Sequence, residues 1–234
     1  MSTVQYELSG NVAILRMDDG KANALSNAMM DSLDEALDRA EREAAAVVLT
    51  GRPGKFCAGF DLRQMMAGVD QARALVSRGA QLLLRLYALP LPLVIASTGH
   101  ALAGGALVVL TGDYRISVRG SAFRVGLNEV QIGMPVPILA MELARDRLEP
   151  RHLIRSTLFA TVVDPEAGVD AGWLDELVGD DAALATAAHA HATRLASLPR
   201  DAYAKTKSAL REKTIRYIRD TLAEDMLRLT PPVT

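Results

Sequence analysis

Between Ala88 and Gly112 the chain carries no charged side chain, yet Pro90, Pro92, Gly99 and the pair Gly104-Gly105 interrupt the run. The length suits a membrane span, but these residues break a continuous helix, and no second apolar span exists to satisfy the backbone groups they would free. The run therefore reads as the buried centre of a globular core, with "LPLVIAST" as a strand and "GGALVVL" as a short helix or buried segment. A glycine pair inside a buried segment forfeits packing and backbone order, so something must offset it.

The flanking sequence alternates strand and helix patterns. "VAILRM" reads as a strand, "SNAMMDSLDEALDRAERE" as an amphipathic helix capped by Ser26, "AAVVLTG" as a buried strand and "DYRISV" as another. Short loops between such segments favour a layered α/β core. From Ile138 onward the helical period dominates, and the long closing helices have apolar faces of the kind that pack on a core or a neighbouring subunit.

Charge and composition exclude several classes. The 26 basic residues nearly balance the 28 acidic ones, and no basic run is interleaved with aromatics, which argues against nucleic acid as a partner. Cys57 is the single cysteine, and the opening "MSTVQYELSG" lacks the pattern of a secretory leader, so a reducing, cytoplasmic location is expected. His189 and His191 are two apart and diverge on a helix, and no Cys/His cluster accompanies them, so no metal is assigned. Neither a phosphate loop nor a dinucleotide fingerprint is present.

Three segments could carry chemistry. "GRPGKFCAGFDL" and "STGHALAGGALVVL" each follow an apolar strand and place small residues where the chain turns into a helix. There the first helical N–H groups lack partners and the helix dipole favours an anionic oxygen. The glycines equally permit close helix–sheet packing, and both readings stay open. In "FRVGLNEVQIGMPVP", Glu129 stands among apolar residues, either as a paired core acid or as a general base whose pKa is raised toward neutrality. His100 reads as a turn histidine and Cys57 as a small buried hydrophobe.

In this order, "KANALS", "FCAGFDL", "TGHALAGGALVVLTGDYRIS", "GLNEVQIGMP" and "DPEAGVDAGWLDELV" resemble the crotonase superfamily, the enoyl-CoA hydratases and isomerases. The resemblance implies a ββα spiral core over 1–180 that binds an acyl-CoA thioester, and a C-terminal helical region over 181–234 that packs trimers or hexamers. It implies an oxyanion hole from the N–H groups of Phe60 and Gly104, and a CoA channel along Lys21, Ala22, Ala58, Asp61 and Leu62. Coenzyme A would arrive with the substrate, and no separate cofactor is expected. Hydratases of the family carry a glutamate three residues after the oxyanion glycine; here that residue is Leu107, in the acyl-binding region, which leaves Glu129 alone as in the Δ3,Δ2-enoyl-CoA isomerases. The implied activity is transfer of a 3-enoyl double bond to the 2-position. The alternatives are a hydratase that pairs Glu129 with a partner such as His100 or Asn128, and a non-catalytic acyl-CoA-binding homologue.

Overall fold

A computed structural model describes residues 2–120 and 122–230; residues 231–234, at the end of the expected C-terminal region, lie outside the described residues. The chain opens with a hairpin, β1 (Val4–Ser9) and β2 (Val12–Met17), followed by α1 (Asn27–Glu43), β3 (Ala46–Thr50) and β4 (Gly54–Cys57). Then come α2 (Leu62–Met65), α3 (Val69–Ala88), β5 (Leu93–Ser97), β6 (Gly99–Leu102), α4 (Gly104–Thr111), β7 (Tyr114–Val118) and β8 (Val125–Gly126). A 3₁₀ turn at Val130–Ile132 leads to α5 (Ile138–Arg147), α6 (Pro150–Thr157), α7 (Pro165–Ala171), β9 (Glu176–Val178), α8 (Asp181–Ala196) and α9 (Arg200–Arg228).

The strands form two sheets, a six-stranded one in the order β1-β2-β3-β5-β7-β9 and a three-stranded one in the order β4-β6-β8. Apart from the β1–β2 hairpin, the strand-to-strand pairings within these sheets are parallel among the described residues. The chain repeats one path: a strand in the large sheet, a short strand in the small sheet, then a helix. This is the ββα spiral that the resemblance implied. The apparent strand-to-helix junctions of the sequence thus each contain a second strand, β4 or β6.

Local chemistry accounts for the elements. Ser26 caps α1, its hydroxyl accepting from Met29 N–H at 3.2 Å, a bond that stabilises the helix by about 1 kcal/mol. The central strands are apolar on both faces because both are covered. Ala13, Leu15, Val47, Leu49, Leu93 and Ile95 join the core beneath α1, α3 and α4, while Val12, Val48, Val94, Ala96 and Ile116 meet Leu184, Ala188 and Ala192 of α8. The alanine-rich α8 therefore lies on the second face of its own chain's sheet. Among the described residues, no helix is long and apolar enough to cross a membrane.

α9 is held by a buried ion cluster. The Asp113 carboxylate accepts from Lys207 Nζ at 2.7 Å and from Leu93 N–H at 2.8 Å, and Arg211 lies 2.9 Å from its other oxygen. Arg211 also donates to Tyr87 O at 2.6 Å, and its guanidinium lies 4.1 Å over the Tyr87 ring. Burial pulls the Lys207 ammonium down to about 8 against the attraction of Asp113. Across the sheet, Arg115 grips Asp175 with a two-pronged contact of 2.9 and 2.7 Å.

The two central glycines have different jobs. A Cβ on Gly105 would stand 2.0 Å from the Cys57 carbonyl oxygen and 2.7 Å from its carbon, so α4 rests directly on the backbone of β4. The atoms nearest to a Cβ on Gly104 would be side-chain atoms of Leu25 and Phe60, at 3.1 Å. Gly105→Ala should therefore cost about 3 kcal/mol or more in urea unfolding, because backbone cannot yield, and Gly104→Ala much less. Equal losses at the two positions would contradict this assignment.

Candidate active site

The end of β4, the start of α4 and the loop after β8 converge on one cavity of about 360 Å³. Its walls are largely apolar: Leu62, Met65 and Met66 from the α2 region, Leu102 from β6, and Ile132 and Met134 from the turn after β8. Ala58, Phe60, Ala103, Asn128 and Glu129 complete it.

The first loop is built around Gly59, whose φ of +95° suits glycine alone. Leu25 N–H donates to Gly59 O at 2.8 Å and Asp61 N–H to Leu25 O at 3.4 Å, which makes Leu25 and Phe60 a parallel bridge pair. In such a bridge both of Leu25's backbone groups are engaged with the neighbours of Phe60, so the Phe60 N–H points to the opposite side. The Phe60 ring is wedged between helices: a Cβ on Gly79 of α3 would lie 2.2 Å from it, and one on Gly104 3.1 Å. Asp61 caps α2, accepting from Arg63 and Gln64 N–H at 2.9 and 3.1 Å.

The second loop turns at Ala103, held at φ 49°, ψ −121° in a sparsely populated region. Its N–H donates to Gly126 O at 3.0 Å, which ties the turn to the small sheet. The Gly104 N–H that follows is the first of α4 and has no intrahelical acceptor. The loops nearly touch, since a Cβ on Gly59 would stand 2.9 Å from Leu102 O and 3.4 Å from Gly104 N.

Glu129 opens the 3₁₀ turn, and its carbonyl accepts from Ile132 and Met134 N–H at 3.1 and 2.9 Å. The residue is 6% exposed. Burial pushes its carboxyl up to about 7, opposed in part by the backbone N–H groups of Glu129 and Asn128. Its Oε2 is buried with no hydrogen-bond partner, and so is Asn128 Oδ1. Glu129 is the one ionisable side chain among the described residues that line the cavity.

Of the residues singled out in the sequence, Ala58, Phe60, Leu62 and Glu129 line the cavity together, and Gly104 directly follows Ala103 in its wall. Lys21 and Ala22 adjoin without lining it: Ala58 N–H donates to Ala22 O at 3.1 Å, and Arg52 donates to Lys21 O. Leu107 is 3% exposed in the core, one turn along α4. His100 lies apart from the lining, with Nδ1 accepting from Arg124 N–H at 3.2 Å and its pKa lowered by burial and by Lys55 and Arg124. Burial pushes the Cys57 thiol up to about 12, so it stays protonated.

Sequence reasoning missed Gly79, the seat of the Phe60 ring, and Asn23, fully buried at φ 53°. The Asn23 amide donates to Met17 O and Lys55 O, both at 3.0 Å, and so joins β2 to β4. A glycine in the middle of the apolar α3 pattern and an asparagine between alanines were the available signals.

The family described as enoyl-CoA hydratase/isomerase matches the chain over residues 7–228. The chain is similar to human mitochondrial enoyl-CoA delta isomerase 1, 32% identical over 215 residues that span 90% of this chain and 71% of that protein. It is also 32% identical to a probable enoyl-CoA hydratase of Rhodobacter capsulatus, over 88% of this chain and 80% of the relative. The crystal structure of an enoyl-CoA hydratase/isomerase family protein from Pseudomonas syringae superposes with a TM-score of 0.94 at 38% identity, covering 97% of this chain and 98% of that one. With the family pattern running from β1 into α9 and the same fold in a solved relative, the chain belongs to the enoyl-CoA hydratase/isomerase family of the crotonase superfamily and is an enzyme of that type.

Proposed function

We propose that the protein isomerises a 3-enoyl-CoA thioester to the 2-enoyl form by moving one proton. The observation that carries this reading is the buried Glu129 carboxyl, the single ionisable group among the described residues of an apolar cavity wall, raised toward neutrality by burial. Glu129 takes the proton from C2, charge develops on the thioester oxygen, and the same carboxyl returns the proton to C4. The Phe60 and Gly104 N–H groups are the proposed donors to that oxygen, each contributing about 3 kcal/mol of transition-state stabilisation. Adding water would call for a second acid–base group, and the position where hydratases carry one is the core residue Leu107. Asn128, with its own open oxygen on the wall, is what favours the hydratase reading.

Purified protein incubated separately with 3-enoyl-CoA and trans-2-enoyl-CoA tests this directly: isomer from the first and little hydration of the second is expected. Glu129→Gln should lower turnover by at least about a hundredfold while acyl-CoA binding survives. Because the base must be ionised, wild-type activity should rise with pH through about 7.

The same burial makes a stability prediction. The folded-state pKa of Glu129 lies above its ordinary value of 4.5, so the protonated form is the one the fold favours, and stability is lost as pH rises through about 7. Glu129→Gln should therefore unfold at higher urea than wild type at pH 8, by up to roughly 3 kcal/mol, with the gap closing below pH 5.

We further propose a homotrimer or a pair of trimers. Support comes from apolar side chains exposed in one chain: Ile154, Leu158 and Phe159 around α6, with exposures of 59, 64 and 62%, and Leu210 and Leu227 of α9. Light scattering at micromolar protein should give three or six times the 25.1 kDa chain mass, and a monomeric mass would refute the assembly.

A further inference from the structure

The loop that carries the Phe60 N–H is paired along its length with residues 22–25. Ala22 O accepts from Ala58 N–H at 3.1 Å, Leu25 N–H donates to Gly59 O at 2.8 Å, and Leu25 O accepts from Asp61 N–H at 3.4 Å. Asn23 stands between these anchors, fully buried and in the left-handed region at φ 53°.

β4, an edge strand of the small sheet, does not by itself fix where the loop begins. Its ladder to β6 pairs Lys55 with His100 and Cys57 with Ala101, so Phe56 is left over and the register slips just before the loop. An extra residue of this kind re-aims the chain that follows it. The carbonyl at the slip is Lys55 O, and it accepts from Asn23 Nδ2 at 3.0 Å. The second amide hydrogen goes to Met17 O, at the end of β2, also at 3.0 Å. Asn23 Oδ1 accepts from Asp19 N–H at 3.0 Å, and Asp19 Oδ1 accepts from Asn23 N–H at 2.9 Å. These partners permit one orientation of the amide, because reversal would set its oxygen against two carbonyls.

We infer that Asn23 is a positioning residue: its carboxamide fixes the register in which residues 58–61 leave β4, and so the aim of the Phe60 N–H at the thioester oxygen. The inference rests on the anion-donor role given to Phe60 above. Asn23 does not line the cavity and touches no substrate; it acts through the loop. The residue type follows from the position. Asparagine tolerates a positive φ and offers two donors and an acceptor on a short side chain, whereas aspartate lacks the donors and glycine lacks the amide. A donor aimed at developing charge is effective only when its direction is fixed before the reaction, which is what the three bonds of the carboxamide supply.

The test combines turnover of a 3-enoyl-CoA with the infrared band of a saturated acyl-CoA labelled with 13C at the thioester carbonyl, which the enzyme can bind but not isomerise. Binding to wild type should move the carbonyl band to lower frequency, because donors to the oxygen weaken the C=O bond. Asn23→Gly keeps the positive φ and removes the amide. It should lose a substantial part of that shift and lower kcat roughly tenfold to a hundredfold, with the Kd of the saturated thioester changed less than about threefold. Asp19→Ala, at a partly exposed position, leaves the amide in place and frees one of its anchors, so it should lose a smaller part of the shift.

A folded Asn23→Gly with an unchanged carbonyl band overturns the inference, even where kcat falls, since a purely structural role lowers stability without altering the bound carbonyl. Weaker binding with the band and kcat preserved overturns it as well. Should Asn23→Gly fail to fold, Asp19→Ala decides, and a wild-type band in that variant overturns the inference. The failures are separable: no shift on binding to wild type removes the anion-donor reading and this inference with it, whereas a wild-type shift that survives Asn23→Gly removes this inference alone.

Discussion

The contact of α4 with the backbone of β4 is the constraint on which the rest of the molecule turns. With no side chain at Gly105, the helix approaches until van der Waals contact with the Cys57 carbonyl stops it. That approach brings the turn at Ala103 beside Gly59 and puts the two loops of the cavity side by side. It also seats an apolar helix in the centre of the core, where all eight residues of α4 are buried. Such a helix is anchored at its far end by polar means: Arg147 donates to Gly112 O at 2.7 Å, and Asp113 just beyond gathers Lys207 and Arg211. One end of α4 thus carries backbone donors without intrahelical acceptors and the other a satisfied electrostatic knot that ties α9 to the core.

The knot illustrates how charge is used here. Removing either cation would leave the Asp113 carboxylate buried and under-paired, a change that typically costs several kcal/mol. At the cavity the reverse choice is made, for Glu129 is buried without any cation and carries its burial as a raised pKa. The contrast separates a carboxylate that fixes an element in place from one kept available for a proton.

Much of this was legible in the sequence, and what was not has physical reasons. The strands β2, β3, β5 and β7 and helix α1 announce themselves through apolar patterns and a capping serine, whereas β1, "VQYELS", and β9, "ELV", do not. The short strands β4, β6 and β8 do not, because "GKFC", "GHAL" and "VG" are too brief to show a period and are fixed by pairing with distant segments. The same holds for α8, whose alanine-rich pattern says that it can pack closely without saying on what. At the cavity, Glu129 was visible as an acid in apolar company, and the glycine pair as a departure from good packing. The two roles within that pair depend on which atoms face each Cβ position, as does the place of Gly79, so only the assembled fold separates them.

The seating of Phe60 extends the reach of the cavity into α3. Its ring fills the space left by the missing side chain of Gly79, so the loop's backbone is aligned by how closely that helix lies against it. Any substitution that enlarges position 79 presses on the ring and turns the amide behind it, although residue 79 neither lines the cavity nor offers a polar side chain. The orientation of a proposed anion donor is therefore governed by steric fit to a helix outside the pocket, and a search for function-altering changes confined to the cavity wall would pass over one of the positions that controls it.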